Sequence, residues 1–202
     1  MEQRSEEWYQ ARLGKATASK FHDICSKRGV SGRENYKYEL IAERLTGNPT
    51  ETRTYAPMQH GVDFEDTARL TYEFKTGYKV EETGFIVHPD YPDAGASPDG
   101  LIGEDGGIEI KCFDTKSHIE ALYKRKVPTK YYEQVLGGLW VTGRKWWDFV
   151  SYDPRMPEDL QLVIIRLERD EDEITRLRET ILDFCNDVDK ELMKILEYRE
   201  KL

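Results

Sequence analysis

Cysteine is scarce. Three cysteines, far apart at Cys25, Cys112 and Cys185, exclude a disulfide framework and any Cys-x-x-Cys zinc or iron–sulfur site built by this chain alone. Such usage suits a reducing compartment, and a cytoplasmic location is expected. No apolar run approaches the roughly 20 residues that cross a bilayer, so no transmembrane helix is predicted. The opening residues, MEQRSEEWYQARLGKA, hold no apolar stretch of the kind a secretory signal needs. Internal repeats, low-complexity tracts and a convincing linker are also missing. The four histidines (His22, His60, His88, His118) show no ligand spacing. Positive charge is in deficit, with a net of −9, which at first sight argues against a polyanionic partner.

The distribution of charge weakens that objection. Residues 153–202 hold 15 acidic against 9 basic side chains, whereas residues 1–60 hold 10 basic against 8 acidic. Lys116, Lys124, Arg125, Lys126 and Lys130 cluster with Glu120 alone. A local patch can steer a polyanion whatever the net charge. A solvated helix end explains the 116–130 cluster more simply. With 202 residues and 11% aromatics, the chain can bury a core and reads as one domain.

Periodicity predicts helices over 5–13, 17–25 (capped by Thr17 or Ser19), 34–46 and 59–76. Strands follow at 83–88, 94–102 and 107–112, the last two joined as a hairpin through Gly103–Gly107. A helix over 129–142, strands at 146–152 and 161–168, and an amphipathic helix over 171–201 complete the order. On that helix Ile174, Leu177, Ile181, Cys185, Val188, Leu192 and Ile195 form one stripe. Trp140, Trp146 and Trp147 flank a turn and are expected to pack. The fold class is mixed α/β (α+β): a central mixed sheet, core at about 60–168, flanked by helices that include 5–46 at the N-terminus.

The chemistry begins at Ser97-Pro98-Asp99-Gly100, followed nine residues later by Glu109-Ile110-Lys111. As hairpin strands they bring Asp99 close to Glu109. Strand alternation puts Glu109 and Lys111 on one face and turns Ile110 into the core. Two carboxylates, an ammonium and the Ile110 carbonyl then meet near one point. Oxygen donors with room for water suit Mg²⁺ or Mn²⁺, and a divalent cation relieves the repulsion of the paired carboxylates. Bound metal makes a nucleophile of water at neutral pH, and a lysine beside it steadies phosphate charge. The combination points to phosphodiester hydrolysis. A surface turn and an ordinary Glu–Lys pair are the plain alternative. Glu65 and Arg69 share a face on the 59–76 helix, and on spacing alone they read as an exposed ion pair. Tyr131 and Gln134 share a face of the 129–142 helix, where surface filler is the alternative.

Seven segments in this order resemble the YqaJ-like viral recombinase nucleases, the lambda-type phage exonucleases of the PD-(D/E)xK superfamily: WYQARLGKATAS (8–19), GVDFEDTAR (61–69), SPDGL (97–101), EIKC (109–112), YYEQ (131–134), WVT (140–142) and YDPRM (152–156). The resemblance implies a restriction-endonuclease-like core. It implies a metal-dependent 5′→3′ exonuclease on linear double-stranded DNA that prefers a 5′-phosphate, releases mononucleotides and leaves a 3′ tail. A homotrimeric ring around DNA and a single-strand annealing protein as partner, in a phage-infected or prophage-bearing cell, are implied too. By position, Asp99, Glu109 and the Ile110 carbonyl resemble the metal ligands, Glu65 the helix carboxylate that reaches them, and Lys111 the catalytic lysine. Gln134 and Tyr131 resemble the active-site glutamine and its neighbour. Arg12, Thr17, Ser19 and Ser97 resemble a 5′-phosphate pocket, as arginine forks and short hydroxyls would suit. Two Mg²⁺ ions per site are expected, bridged by Asp99. The lambda-type enzyme has a further aspartate where this chain has Pro89, and the adjacent Asp90 takes no role. Arg28 and Arg33 are further candidate DNA contacts, and Trp8 is expected to anchor the core rather than wedge a base end.

Two other activities share these residues. An endonuclease or junction resolvase would use the same site but has no need of a pocket for an end. A non-catalytic DNA-end-binding module would be expected to lose Asp99, Glu109 or Lys111, and all three are present. Exonucleases with an iron–sulfur cluster need four cysteines, which this chain lacks.

Overall fold

The strands divide into two mixed sheets. A computed structural model describes residues 2–27, 30–50 and 56–201, with the side chains of 56–63 outside the description. The smaller sheet pairs β1 (Ala16–Thr17) in parallel with β3 (Ala94–Ala96), which pairs antiparallel with β2 (Ile86–Val87). The larger sheet has the order β4 (Gly100–Ile102), β5 (Gly106–Cys112), β6 (Trp146–Tyr152), β7 (Leu162–Glu168). Within it β4–β5 and β6–β7 are antiparallel, while β5–β6 is parallel. A parallel neighbour needs a crossover. Helices α5 (Thr115–Lys124) and α6 (Thr129–Thr142) supply it.

Alternation sorts the faces of the larger sheet. Trp147 and Phe149 enter a core with Val135 and Leu139 of α6. The same core takes in residues of α2 (Phe21–Cys25), α3 (Ser31–Thr46) and α7 (Glu171–Arg199). Ile108, Ile110, Val150 and Tyr152 enter a second core, closed by Ala68 and Tyr72 of α4 (Ala56–Thr76). Glu109 and Lys111 therefore stand on the α6 face. In the second core Tyr72 donates to Asp148 at 2.6 Å, and Arg166 donates two bonds to the same carboxylate at 2.8 Å. Buried Trp140 and Trp147 pack as expected, and Trp146 packs under Arg166 at 3.6 Å. The α7 stripe is buried through Val188, but Ile195 is 41% exposed.

Several predicted elements differ. The 94–102 strand breaks at Ser97-Pro98-Asp99, and its halves join different sheets. Proline has no N–H for a ladder, so it ends strands. The 83–88 strand shrinks to Ile86–Val87. Thr17 caps no α-helix: residues 16–17 form β1, Thr17 precedes a 3₁₀ turn over 18–20 without a side-chain capping bond, and α2 starts at Phe21. Helix α5, capped by the Asp114 carboxylate, falls in a stretch read only as a basic cluster. Arg33 is no DNA contact. It is 4% exposed, donates to the Ile24 carbonyl at 2.8 Å and reaches Asp183 and Asp187 on α7. Arg28 lies outside the described residues. Among the described residues, no helix is long and apolar enough to cross a membrane.

Candidate active site

The β4–β5 hairpin sets the first contacts. Gly100 pairs with Ile108, so Asp99 stands just beyond the ladder, beside Glu109. Its Oδ2 accepts the Ile110 N–H at 2.6 Å. Glu109 is 3% exposed, and its Oε1 accepts from Lys111 Nζ and Gln134 Nε2, each at 2.5 Å. Gln134 comes from α6, one turn beyond Tyr131. The Tyr131 ring lies 5.3 Å from Lys111 Nζ and is backed by Phe113 and Phe149. Helix α6 thus turns both residues to the site rather than to solvent.

Burial and mutual repulsion govern the charges. Burial, then Glu109, holds the Asp99 carboxyl well above the usual aspartate range, with Glu65 adding to it. Burial raises Glu109 as well, against the pull of Lys111. Burial would lower Lys111, but Glu109 and Asp99 outweigh it and raise its pKa. Lys111 is therefore a firmly charged ammonium among carboxylates in surplus. Glu65, on α4, is held by Arg4 at 3.1 Å. Arg69 pairs instead with Asp66 and Glu82, each at 2.9 Å, so the Glu65–Arg69 surface pair does not form.

A divalent cation suits this donor set. The donors are oxygens, and negative charge exceeds what Lys111 neutralises. Among the described residues, no three His, Cys, Asp or Glu side chains converge as a ready metal cluster. Asp99 and Glu109 would hold the ion, with the Ile110 carbonyl, Glu65 and waters completing its coordination. Mg²⁺ keeps several waters when bound by one or two carboxylates.

Beside Glu109 opens a cavity of about 20 Å³, lined by Arg12, Ser19, Ser97, Gln134 and Trp147 among others. Helix α1 (Glu6–Arg12), capped by Ser5, delivers the arginine. Trp8 and Arg12 share a helix face. The guanidinium lies 4.0 Å over the Trp8 ring, and both side chains donate to Ser97 Oγ, at 2.9 Å from Arg12 and 3.0 Å from Trp8. Burial lowers the Arg12 pKa from the usual arginine value. Trp8 is half-buried and outside the core, so its place is to orient Arg12 rather than to anchor the fold. Ser19 is exposed at the cavity. Thr17 is not among the cavity's lining; it is buried, its N–H bonded to the Tyr36 hydroxyl at 3.0 Å, and its hydroxyl lies 3.4 Å from Ser19 Oγ. Sequence reasoning missed Arg4 and Gln3. Gln3 clamps the Pro98 carbonyl at 2.7 Å, and only an alignment of partners 95 residues apart could have signalled it.

A mixed-sheet core with a buried Glu109 flanked by half-buried Asp99 and Lys111, beside an arginine-lined cavity, defines the class. The chain matches the YqaJ-like viral recombinase domain over residues 7–145 and belongs to that family. The fold is that of an alkaline exonuclease (LHK-Exo) from Laribacter hongkongensis: 42% identity over 98% of this chain and 99% of that one, TM-score 0.92. The LHK-Exo structure in complex with dAMP matches at 41% identity, with the same coverage and TM-score. A phage-related exonuclease from Haemophilus somnus 129PT shares the fold at 17% identity, TM-score 0.72, over 90% of this chain and 96% of that one. No curated protein sequence matches this chain.

Proposed function

We propose that the protein is a Mg²⁺-dependent 5′→3′ exonuclease that starts at 5′-phosphorylated ends of linear double-stranded DNA, releases mononucleotides and leaves a 3′ overhang. The carrying observation is that the Arg12–Ser19–Ser97 cavity shares Glu109 and Gln134 with the Asp99–Lys111 cluster. An anion pocket one wall away from a hydrolytic cluster suits a terminal phosphate held one nucleotide from the bond to be cut. The dAMP bound by the 41% identical LHK-Exo is a nucleoside monophosphate, the size of product such an enzyme releases.

Each residue has a task in this reading. Arg12, pre-oriented by Trp8, forks onto the terminal phosphate, and Ser19 and Ser97 donate at short range. Lys111 stabilises charge on the scissile phosphate. Gln134 fixes Glu109, and Tyr131 packs against the Lys111 ammonium. When bound, Mg²⁺ lowers the pKa of a coordinated water and polarises the phosphoryl oxygen, with Asp99, Glu109, the Ile110 carbonyl and Glu65 as candidate ligands. We also propose a homotrimeric ring. Leu70 and Phe74, 62% and 93% exposed, form an uncovered apolar pair on α4, which supports self-association. The single-strand annealing partner, and action in the cytoplasm of a phage-infected cell, rest on family membership.

The test is a linear duplex with one 5′-phosphate end and one 5′-hydroxyl end, beside covalently closed circular DNA, in Mg²⁺ or EDTA. Mg²⁺-dependent loss of nucleotides from the phosphorylated strand, with the circle intact, is expected. Cutting of the circle would assign an endonuclease, and tight end binding without cutting a non-catalytic module.

A further inference from the structure

Residues 3–5 form a strap that touches both sides of the candidate ligand set. Gln3 Nε2 donates to the Pro98 carbonyl at 2.7 Å and to the Thr83 carbonyl at 3.2 Å. Pro98 precedes Asp99, so Gln3 pins the turn that carries one carboxylate. Arg4 reaches another: its guanidinium donates to Glu65 Oε2, on α4, at 3.1 Å. Ser5 then caps α1. Arg4 is thus held between two anchored neighbours. Its backbone is left-handed, with a φ of 68°, a region that costs any residue but glycine.

An exposed ion pair is commonly worth little, and Arg4 is itself half exposed. What sets this pair apart is its carboxylate. The Glu65 side chain is only 23% exposed. Its charge adds to the repulsion that raises the pKa of both Asp99 and Glu109, so it lies within electrostatic reach of them. Yet among the described residues no three acidic side chains converge as a metal cluster. Glu65 is the carboxylate of the set that is engaged elsewhere, by Arg4.

We infer that Arg4 is a positioning residue that sets the cation affinity of the active site, because its guanidinium competes with the divalent cation for Glu65. This rests on the metal-dependent reading above and adds to it the residue that opposes binding. Paired with Arg4, Glu65 is neutralised, and the guanidinium repels a dication arriving at Asp99 and Glu109. Glu65 can serve the ion only by giving up Arg4. The free protein therefore binds the ion more weakly than its carboxylates alone would. Phosphate oxygens of bound DNA supply the further ligands that tip the balance.

The test titrates Mn²⁺ into the full-length protein without DNA, with free Mn²⁺ read by electron paramagnetic resonance. Arg4→Gln should bind Mn²⁺ about three- to tenfold more tightly, the scale of one partly screened charge pair. Arg4→Lys keeps the charge and should stay within about twofold of the wild type. In a Glu65→Gln background, Arg4→Gln should change the affinity little. The Mg²⁺ concentration that half-saturates cleavage should fall in step with the gain. Damage to the fold would weaken binding, not strengthen it. Unchanged or weaker binding by Arg4→Gln overturns this proposal alone. So does an equal gain in the Glu65→Gln background, which would be a long-range charge effect, or in Arg4→Lys, which would be a loosened strap. A wild-type protein that binds no Mn²⁺, or binds it as well after Asp99→Asn, overturns the metal reading and this proposal with it.

Discussion

The two sheets hold their functional side chains in different ways. In the larger sheet, β5 is seven residues long and paired on both sides, and its backbone ladder places Glu109 and Lys111. In the smaller sheet, strands of two and three residues do little more than dock the chain. There side chains hold the cavity residues: Arg12 bonds to Ser97, Trp8 bonds to the same hydroxyl from outside the lining, and Ser19 touches the buried Thr17. The sheets meet at Ser97-Pro98-Asp99, where Ser97 serves the cavity and Asp99 the carboxylate cluster. Geometry fixed by a ladder should survive the loss of a neighbouring side chain. Geometry fixed by side chains should not.

That contrast can be broken from either side. The largest effect is expected for Lys111→Ala: a loss of about 10³-fold in cleavage of every end, with DNA binding kept, read by single-turnover kinetics beside a binding titration. Arg12→Ala should cut the preference for 5′-phosphate over 5′-hydroxyl about 10- to 100-fold, as loss of a charge-assisted bond implies, while leaving 5′-hydroxyl ends alone. Trp8→Ala should lower the same preference by a few-fold, because it only frees Arg12 to reorient. A Trp8→Ala protein with full preference would show that the cavity is as rigid as the ladder.

Effects on stability should leave the preference unchanged. Tyr72→Phe removes a buried donor from Asp148 and should cost about 1–2 kcal/mol by urea titration. Asp153 sits at the end of β6, bonded to Thr115 and Arg155. Burial would raise its pKa, but those bonds outweigh it and hold it at about 2. Its stabilisation is therefore full above the unfolded aspartate value near 4 and is lost as pH falls toward 2. Asp153→Asn should lower Tm at pH 7 by on the order of 5 °C, and the gap should close between pH 4 and pH 2.

The carboxylate cluster was legible in the sequence because its logic is local. A hairpin spacing and strand alternation bring Asp99, Glu109 and Lys111 to one place, whereas Gln134 and Tyr131, which only share a helix face, joined them through family resemblance. Pro98 also carried a signal, since proline within a run of strand residues marks a break. The cavity was legible only through family resemblance: Arg12, Ser19 and Ser97 belong to elements too short to show a period. Residues 16–17 form a strand solely because Ala94–Gly95 lies beside them. Arg33 looked like a free surface cation because its partners, Asp183 and Asp187, lie 150 and 154 residues away.

The division of labour between the sheets is tested most directly by binding without cleavage. Affinities of Lys111→Ala and of Lys111→Ala/Arg12→Ala for 5′-phosphate and 5′-hydroxyl duplexes would be measured at one salt concentration. The single variant should still favour the phosphorylated end by tenfold or more, and the double variant should bind both ends alike. Equal binding of both ends by the single variant would contradict the account, because recognition of the end would then depend on the cleavage cluster itself.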